Sequence, residues 1–216
     1  MLTRPRSDDG FTLIELVVTV AIVGIIVAGL GGVIIRFLQD TVDTQARLTE
    51  SHDVQFTAAY WQHDVASIGL RSSTYDATTH SFALTQSVAE SGSLATCSLP
   101  TGTKVVTLAW SEYSSLDSQG SPDKVTVTYV AQPDGAVYQL LRVRCEGGTV
   151  DSTIEVAHNL RVVPTVACVT ASGGTGCAGA GSDVPAVVKL SLDARTADAH
   201  GSASYTATLV GQRRQT

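Results

Sequence analysis

Twenty consecutive residues, Leu16 to Ile35, carry no charge. At about 1.5 Å of rise per residue they make a helix of roughly 30 Å, the hydrocarbon thickness of a bilayer. A run of that length has no polar face to set beside an apolar one, which excludes a helix of a soluble core and implies a membrane helix. It is entered through Gly10-Phe11-Thr12-Leu13-Ile14-Glu15. Glu15 is the informative residue, because a carboxylate at the edge of lipid costs a few kcal/mol and calls for a cationic partner. Cleavage between Gly10 and Phe11 would release an α-amino group four residues before Glu15, able to reach it or the glutamate of a neighbouring chain.

In these residues the chain resembles the type IV prepilins and pseudopilins, whose class III signal has this order of residues ahead of an unbroken apolar helix. The resemblance covers residues 5 to about 38. It implies removal of Met1 to Gly10 by a prepilin peptidase and N-methylation of Phe11. It further implies that the apolar helices assemble with other major and minor pilins or pseudopilins into a filament core, with Phe11 and Glu15 setting axial register. Two other readings explain less. A secretory signal peptide has a shorter apolar core closed by a small-residue cleavage site, and no such site closes this run. A plain signal anchor leaves Glu15 and the Gly10-Phe11 junction without a role. Arg4 and Arg6 precede the helix, and the acids Asp8 and Asp9 count for little in the positive-inside rule. The expected location is therefore the cytoplasmic membrane, crossed once, with the C-terminal domain outside the cytoplasm in the periplasm or at the cell surface. Gly24, Ala28 and Gly32 repeat every four residues, and small residues so spaced let membrane helices approach closely.

Beyond the membrane helix roughly 175 residues remain, enough for one domain with its own core. The chain has a formal charge of −6 and only 16% charged residues, and no basic stripe speaks for nucleic acid. Cys97, Cys145, Cys168 and Cys177 all follow the helix, on the side that export places in an oxidising compartment. Four cysteines permit three pairings. Cys168 and Cys177 bracket a short Gly-rich loop and are paired here, leaving Cys97 with Cys145. Without a Cys-x-x-Cys pair, a four-thiolate zinc site is disfavoured.

Helical character continues past the membrane, since residues 36–68 contain neither proline nor glycine. A stripe through Leu38, Val42, Ala46, Thr49, Phe56 and Tyr60, with Val54, Trp61, Val65 and Ile68 alongside, has helical spacing. Asp40, Asp43, Arg47, Glu50 and Asp53 interleave with it, and Gly69 is the expected stop. The expected organisation is a leader at 1–10, a membrane or filament-core helix at 11–38, its amphipathic continuation at 39–70 and a β-rich domain at 71–216. Strands are expected at Ser81–Thr85, Thr103–Ser111, Lys124–Ala131, Ala136–Cys145, Thr153–Ala157, Val184–Asp193 and Ser204–Gly211, with a hairpin turn at Pro133-Asp134-Gly135. The fold class is thus α+β, a long N-terminal helix packed on an antiparallel sheet with one face on the helix and one face wet. Pilins and pseudopilins share that architecture.

Sites of other chemistry are poorly supported. Gly174 to Gly179 spells G-x-G-x-x-G but lies in a Ser/Gly/Ala loop with no following helix. His63 precedes Asp64 on the helix, where sequence neighbours do not face each other. An enzyme would have to draw on scattered residues such as His158, Ser191 and Asp193, so no catalytic residue, cofactor or metal ligand is assigned. Glu112, Asp117 and Asp123 flank a Ser/Gly loop without calcium-loop spacing. The reading is a minor pilin or pseudopilin of a type IV pilus or type II secretion-type filament. Size, the aromatic segment Ala59 to Val65 and the strand before Gln212-Arg213-Arg214 resemble the J-type minor subunits. The alternative is a membrane-anchored adhesin or ligand-binding module using a local patch of Arg142, Arg144 and Arg161.

Overall fold

A computed structural model describes residues 10–112, 122–194 and 205–214. The leader residues 1–9, Asp117, His200 and Ser204 lie outside them. Residues 1–45 and 46–216 form two compact units. The helix α1 runs Leu13–Ser67 and contributes to both.

In the first unit the helix is uncharged from Leu16 to Ile35, and its side chains from Leu13 to Leu38 are almost all exposed. It is long and apolar enough to cross a membrane.

In the second unit α1 lies on an antiparallel sheet. The strands in chain order are β1 (Arg71–Asp76), β2 (Ser81–Leu84), β3 (Val88–Ala89), β4 (Thr103–Glu112), β5 (Asp123–Asp134), β6 (Val137–Glu146), β7 (Thr149–Leu160), β8 (Thr165–Thr170), β9 (Pro185–Ala194) and β10 (Tyr205–Gln212). β1 and β2 form a separate hairpin, while the main sheet has the order β10-β9-β7-β6-β5-β4-β3, with β8 also on β9. The α+β class holds. Sequence alternation locates the long strands, whereas β1, β3 and β8 are additions that it does not announce. Val88–Ala89 has too few residues for a period-2 signal. The β5–β6 turn is shifted by one residue: Asp134 pairs with Val137 and Pro133 stays in the ladder opposite Tyr138. Gly135 takes φ +62°, the first position of a type II′ turn, whose twist suits paired strands.

Alternate residues of β5 serve two faces. Val125, Val127, Tyr129 and Ala131 enter the main core with Trp61, Val65 and Ile68 of the helix. The opposite face is not wet. Thr107, Thr126, Thr128, Val130 and Val143 are all fully buried there, because the irregular segment before β4 covers it. The Cys97–Cys145 disulfide fastens that segment to β6, and Leu99 packs with Cys97 against Val130 and Val143. The threonines are satisfied within this layer: Thr107 Oγ1 donates to Ser91 O at 2.7 Å and lies 2.9 Å from Thr128 Oγ1. A run such as Thr126-Val127-Thr128 looks like a half-exposed strand because threonine is read as solvated. Here its hydroxyl has a protein partner instead.

The helix ends at Ser67. Gly69 is not in the ordinary left-handed helical cap; its φ of +153° is extended backbone of a kind that favours glycine. It places Gly69 N–H on Ala109 O at 3.1 Å, so the chain passes from helix directly onto β4. β10 closes against the same helix. A Cβ added at Gly211 would stand 2.5 Å from Val65 Cβ, a separation that side-chain rotation at Val65 cannot relieve. Gly211→Ala is therefore expected to lower stability by about 1–3 kcal/mol, seen as a reduced thermal midpoint of the full chain in detergent, and an unchanged midpoint would contradict this close approach.

Candidate functional site

The amino-terminal segment is built on a helix start. Thr12 precedes the first helical residue, its carbonyl accepts from Glu15 N at 3.1 Å and from Leu16 N at 3.2 Å, and its Oγ1 lies 3.4 Å from Glu15 N. Glu15 sits in the first turn, where the free N–H groups favour a negative side chain. Gly10, Phe11 and Glu15 are all exposed, and nothing lies near a Cβ added at Gly10, Gly24 or Gly32. Gly24, Ala28 and Gly32 thus form an open, shallow stripe of the kind that a second helix can approach.

The helix residues that face the sheet differ from the expected stripe. Buried on α1 are Ala46, Glu50, Asp53, Thr57, Trp61, Asp64 and Val65, while of the expected stripe Leu38, Val42 and Thr49 are exposed and Phe56 partly so. Glu50 and Asp53, which interleave with the apolar stripe in sequence, point inward. For Asp53 the sheet offers a polar partner, His158 on β7. Arg142 on β6 grips Asp64 through two hydrogen bonds, Nε to Oδ2 and Nη2 to Oδ1, each 2.7 Å, and Tyr129 OH donates to Oδ2 at 2.8 Å. The guanidinium also lies 5.0 Å from the centre of the Tyr60 ring. Burial by itself would make Arg142 easier to deprotonate, but the bonds and charge of Asp64 outweigh it and hold the guanidinium above its ordinary range. Burial, and then the charge of Asp64, push the Tyr129 phenol well above its ordinary value.

Three further bonds fix the helix. Thr57 Oγ1 donates to Val156 O at 2.7 Å and Trp61 Nε1 to Val188 O at 3.2 Å. Asp53 Oδ2 accepts from His158 N at 3.1 Å and lies 2.6 Å from His158 Nδ1. A β-bulge makes the last contact possible: Tyr138 pairs with Leu160 but Leu140 with Ala157, so β7 carries one extra residue there. Asn159 within it has φ +55°, which asparagine tolerates better than most residues.

These contacts dispose of several candidates. His158 is held by Asp53, while Asp193 on β9 lies 4.0 Å from Arg161 Nε, so the two have different ionic partners among the described residues. His63 Nδ1 lies 3.5 Å from Asp64 Oδ1, closer than sequence neighbours on a helix are expected to come, on a carboxylate already held by Arg142 and Tyr129. The arginine patch does not form. Arg142 is buried, and Arg144 reaches Glu112 at 2.9 Å, Glu146 at 3.1 Å and Asp151 at 3.6 Å. Glu112 and Asp123 are cross-strand neighbours at the ends of β4 and β5, and Asp117 lies outside the described residues. No group of three potential metal-binding side chains occurs among the described residues. The stretch from Gly174 to Gly179 is a loop beside the Cys168–Cys177 disulfide, followed by a three-residue turn of 3-10 helix, Gly181–Asp183, and not by a phosphate-binding helix. The Asp64–Arg142–Tyr129 triad is invisible to sequence reasoning, because its members are far apart in the chain and only the sheet register aligns them.

Residues 5–31 match the family model for the prokaryotic N-terminal methylation motif. The match covers the amino-terminal segment, which supports a segment of the type IV prepilin and pseudopilin type there. No curated protein and no solved structure matches it, so the prepilin assignment rests on the amino-terminal segment, and the ectodomain stands on its own geometry.

Removing one partner of a buried ion pair strands the other, at a cost of about 3–5 kcal/mol. Arg142→Met and Asp64→Asn are each expected to destabilise the ectodomain by that order in chemical denaturation of the full chain, and Asp64→Leu combined with Arg142→Met by less than the sum. Tyr129 adds a pH dependence. A phenol raised in the folded state favours its neutral form there, so its contribution is complete below the unfolded value of 10.0 and is lost as pH climbs above it. The fall in stability above about pH 10 should be shallower in Tyr129→Phe, and equal slopes would contradict the coupling.

Proposed function

We propose that this chain is a minor pilin or pseudopilin, a non-catalytic structural subunit of a type IV pilus or type II secretion-type filament. The carrying observation is the methylation motif placed directly before an all-apolar, exposed helix with Glu15 in its first turn. The precursor is held in the cytoplasmic membrane by residues 16–35, with its β-rich domain outside the cytoplasm. Prepilin peptidase cuts between Gly10 and Phe11, and Phe11 is N-methylated. Its ammonium then compensates Glu15, in its own chain or in a neighbour, and this pair sets axial register while Gly24, Ala28 and Gly32 let helices close up. The Cys97–Cys145 and Cys168–Cys177 bonds suit the oxidising side of the membrane. Partners are other major and minor subunits, and no nucleic acid is called for.

Mass spectrometry of the purified chain tests the first step. The expected amino terminus is a methylated Phe11, and an intact Met1 or a cut beyond residue 35 would refute the reading. Glu15→Ala is expected to be cleaved normally yet recovered in sheared filaments at a small fraction of the unaltered level, and near-normal incorporation would remove the register role. Substituting Gly10 with Ala should leave most of the protein unprocessed on an immunoblot.

A further inference from the structure

The ectodomain core is open at the end where α1 stops. The helix end, the β1–β2 hairpin, the end of β4 and the residues after β10 surround a groove of about 820 Å³, within the size range of ligand sites. Its charged members are Arg71, Arg213, Arg214 and Glu112, and Phe82 and Leu84 give it an apolar wall. Glu112 is already engaged by Arg144 at 2.9 Å. Arg71 spends one N–H on Phe82 O at 3.0 Å. Among the described residues, Arg213 and Arg214 have no ion pair, and Arg213 Nε is buried without a hydrogen-bond partner.

The position of these two arginines is fixed by the backbone. Arg213 N donates to Ala186 O at 2.8 Å and Arg214 N to Ala66 O at 3.2 Å, so both are held against β9 and the helix end. A buried donor left unfilled is costly, and an acceptor entering the groove would relieve it. In a chain of formal charge −6, three guanidinium groups facing one committed carboxylate reverse the sign of the local field.

We propose that this groove binds an acidic peptide segment of a partner protein. Its carboxylates meet the guanidinium forks of Arg213 and Arg214, a pairing favoured by planar bidentate geometry, while a neighbouring apolar side chain lies along Phe82 and Leu84. A nucleic acid would need a basic track extending away from the groove, whereas Arg142 is buried and Arg144 is held by three acids. The inference rests on the groove alone, so an unassembled or uncleaved chain binds as well.

The test uses the full chain in detergent micelles and a fluorescent peptide of alternating leucine and glutamate, read by anisotropy. The glutamine counterpart of that peptide and inorganic phosphate serve as the other two probes. Saturable binding is expected, roughly tenfold tighter for the glutamate peptide than for the glutamine one. Arg213→Gln with Arg214→Gln should weaken it by a further order of magnitude, and Lys189→Gln, a charge removed from the exposed face of β9, should not. If the double variant melts early, Arg71→Gln alone carries the test with a smaller expected loss. Absence of binding, equal binding of both peptides, indifference to the arginine changes, or displacement by phosphate at matched concentration would each overturn the proposal, the last by assigning the groove to a small anion.

Discussion

The ectodomain depends on how Asp64 is matched across the helix–sheet interface. A carboxylate with no exposed surface is tolerable only when charge and hydrogen bonds replace the water it has lost. Arg142 supplies both through its two 2.7 Å contacts and Tyr129 adds a third. Because Arg142 is on β6 and Tyr129 on β5, the carboxylate is also a measure of sheet register: a slip of one residue would turn Arg142 to the opposite face. Trp61 lies against Tyr129 at 5.2 Å between ring centres, so the polar triad and the apolar core are two sides of one contact.

Residues 13–38 and 46–67 belong to the same helix and solve opposite problems. In the first stretch the side chains are exposed and almost uniformly apolar from Leu16 to Ile35. In the second, the apolar stripe alone would leave rotation about the helix axis loosely specified, since burial of hydrocarbon is non-directional. Asp53, Thr57, Trp61 and Asp64 remove that freedom: each makes a directional bond, and the partners are spread over β5, β6, β7 and β9.

This division explains what could be read from the sequence. The long apolar helix was legible because an uncharged run of twenty residues has a composition of its own, and the long strands because a buried face imposes a period of two, as in Lys124 to Val130. The sheet-facing stripe was misread where the helix uses polar residues: Glu50 and Asp53 look like solvated charges, and the bulge at His158–Asn159, which no local pattern announces, supplies the sheet's partner for Asp53. The covered outer face was missed for a related reason. Thr107, Thr126 and Thr128 carry the signature of a wet face, and the segment that covers them has no periodicity of its own. Arg142 was mistaken for surface charge because a basic residue opposite a buried acid cannot be told from a solvated one until the register is known.

The same consideration gives the arginines after β10 their interest. Arg142 and Arg144 both have acids within reach, and the geometry of each pairing is explained by the strand that carries it. Arg213 follows from the same antiparallel register, being the continuation of a strand whose Gly211 must pass close to Val65. Backbone bonds from Arg213 N to Ala186 O and from Arg214 N to Ala66 O then place two cations on a rim where the described residues provide one carboxylate, itself already shared. Among the described residues, Glu112 is the one carboxylate that lines this groove. The close approach at Gly211 and the backbone bonds of Arg213 and Arg214 both belong to the fit of the last strand against the helix and β9.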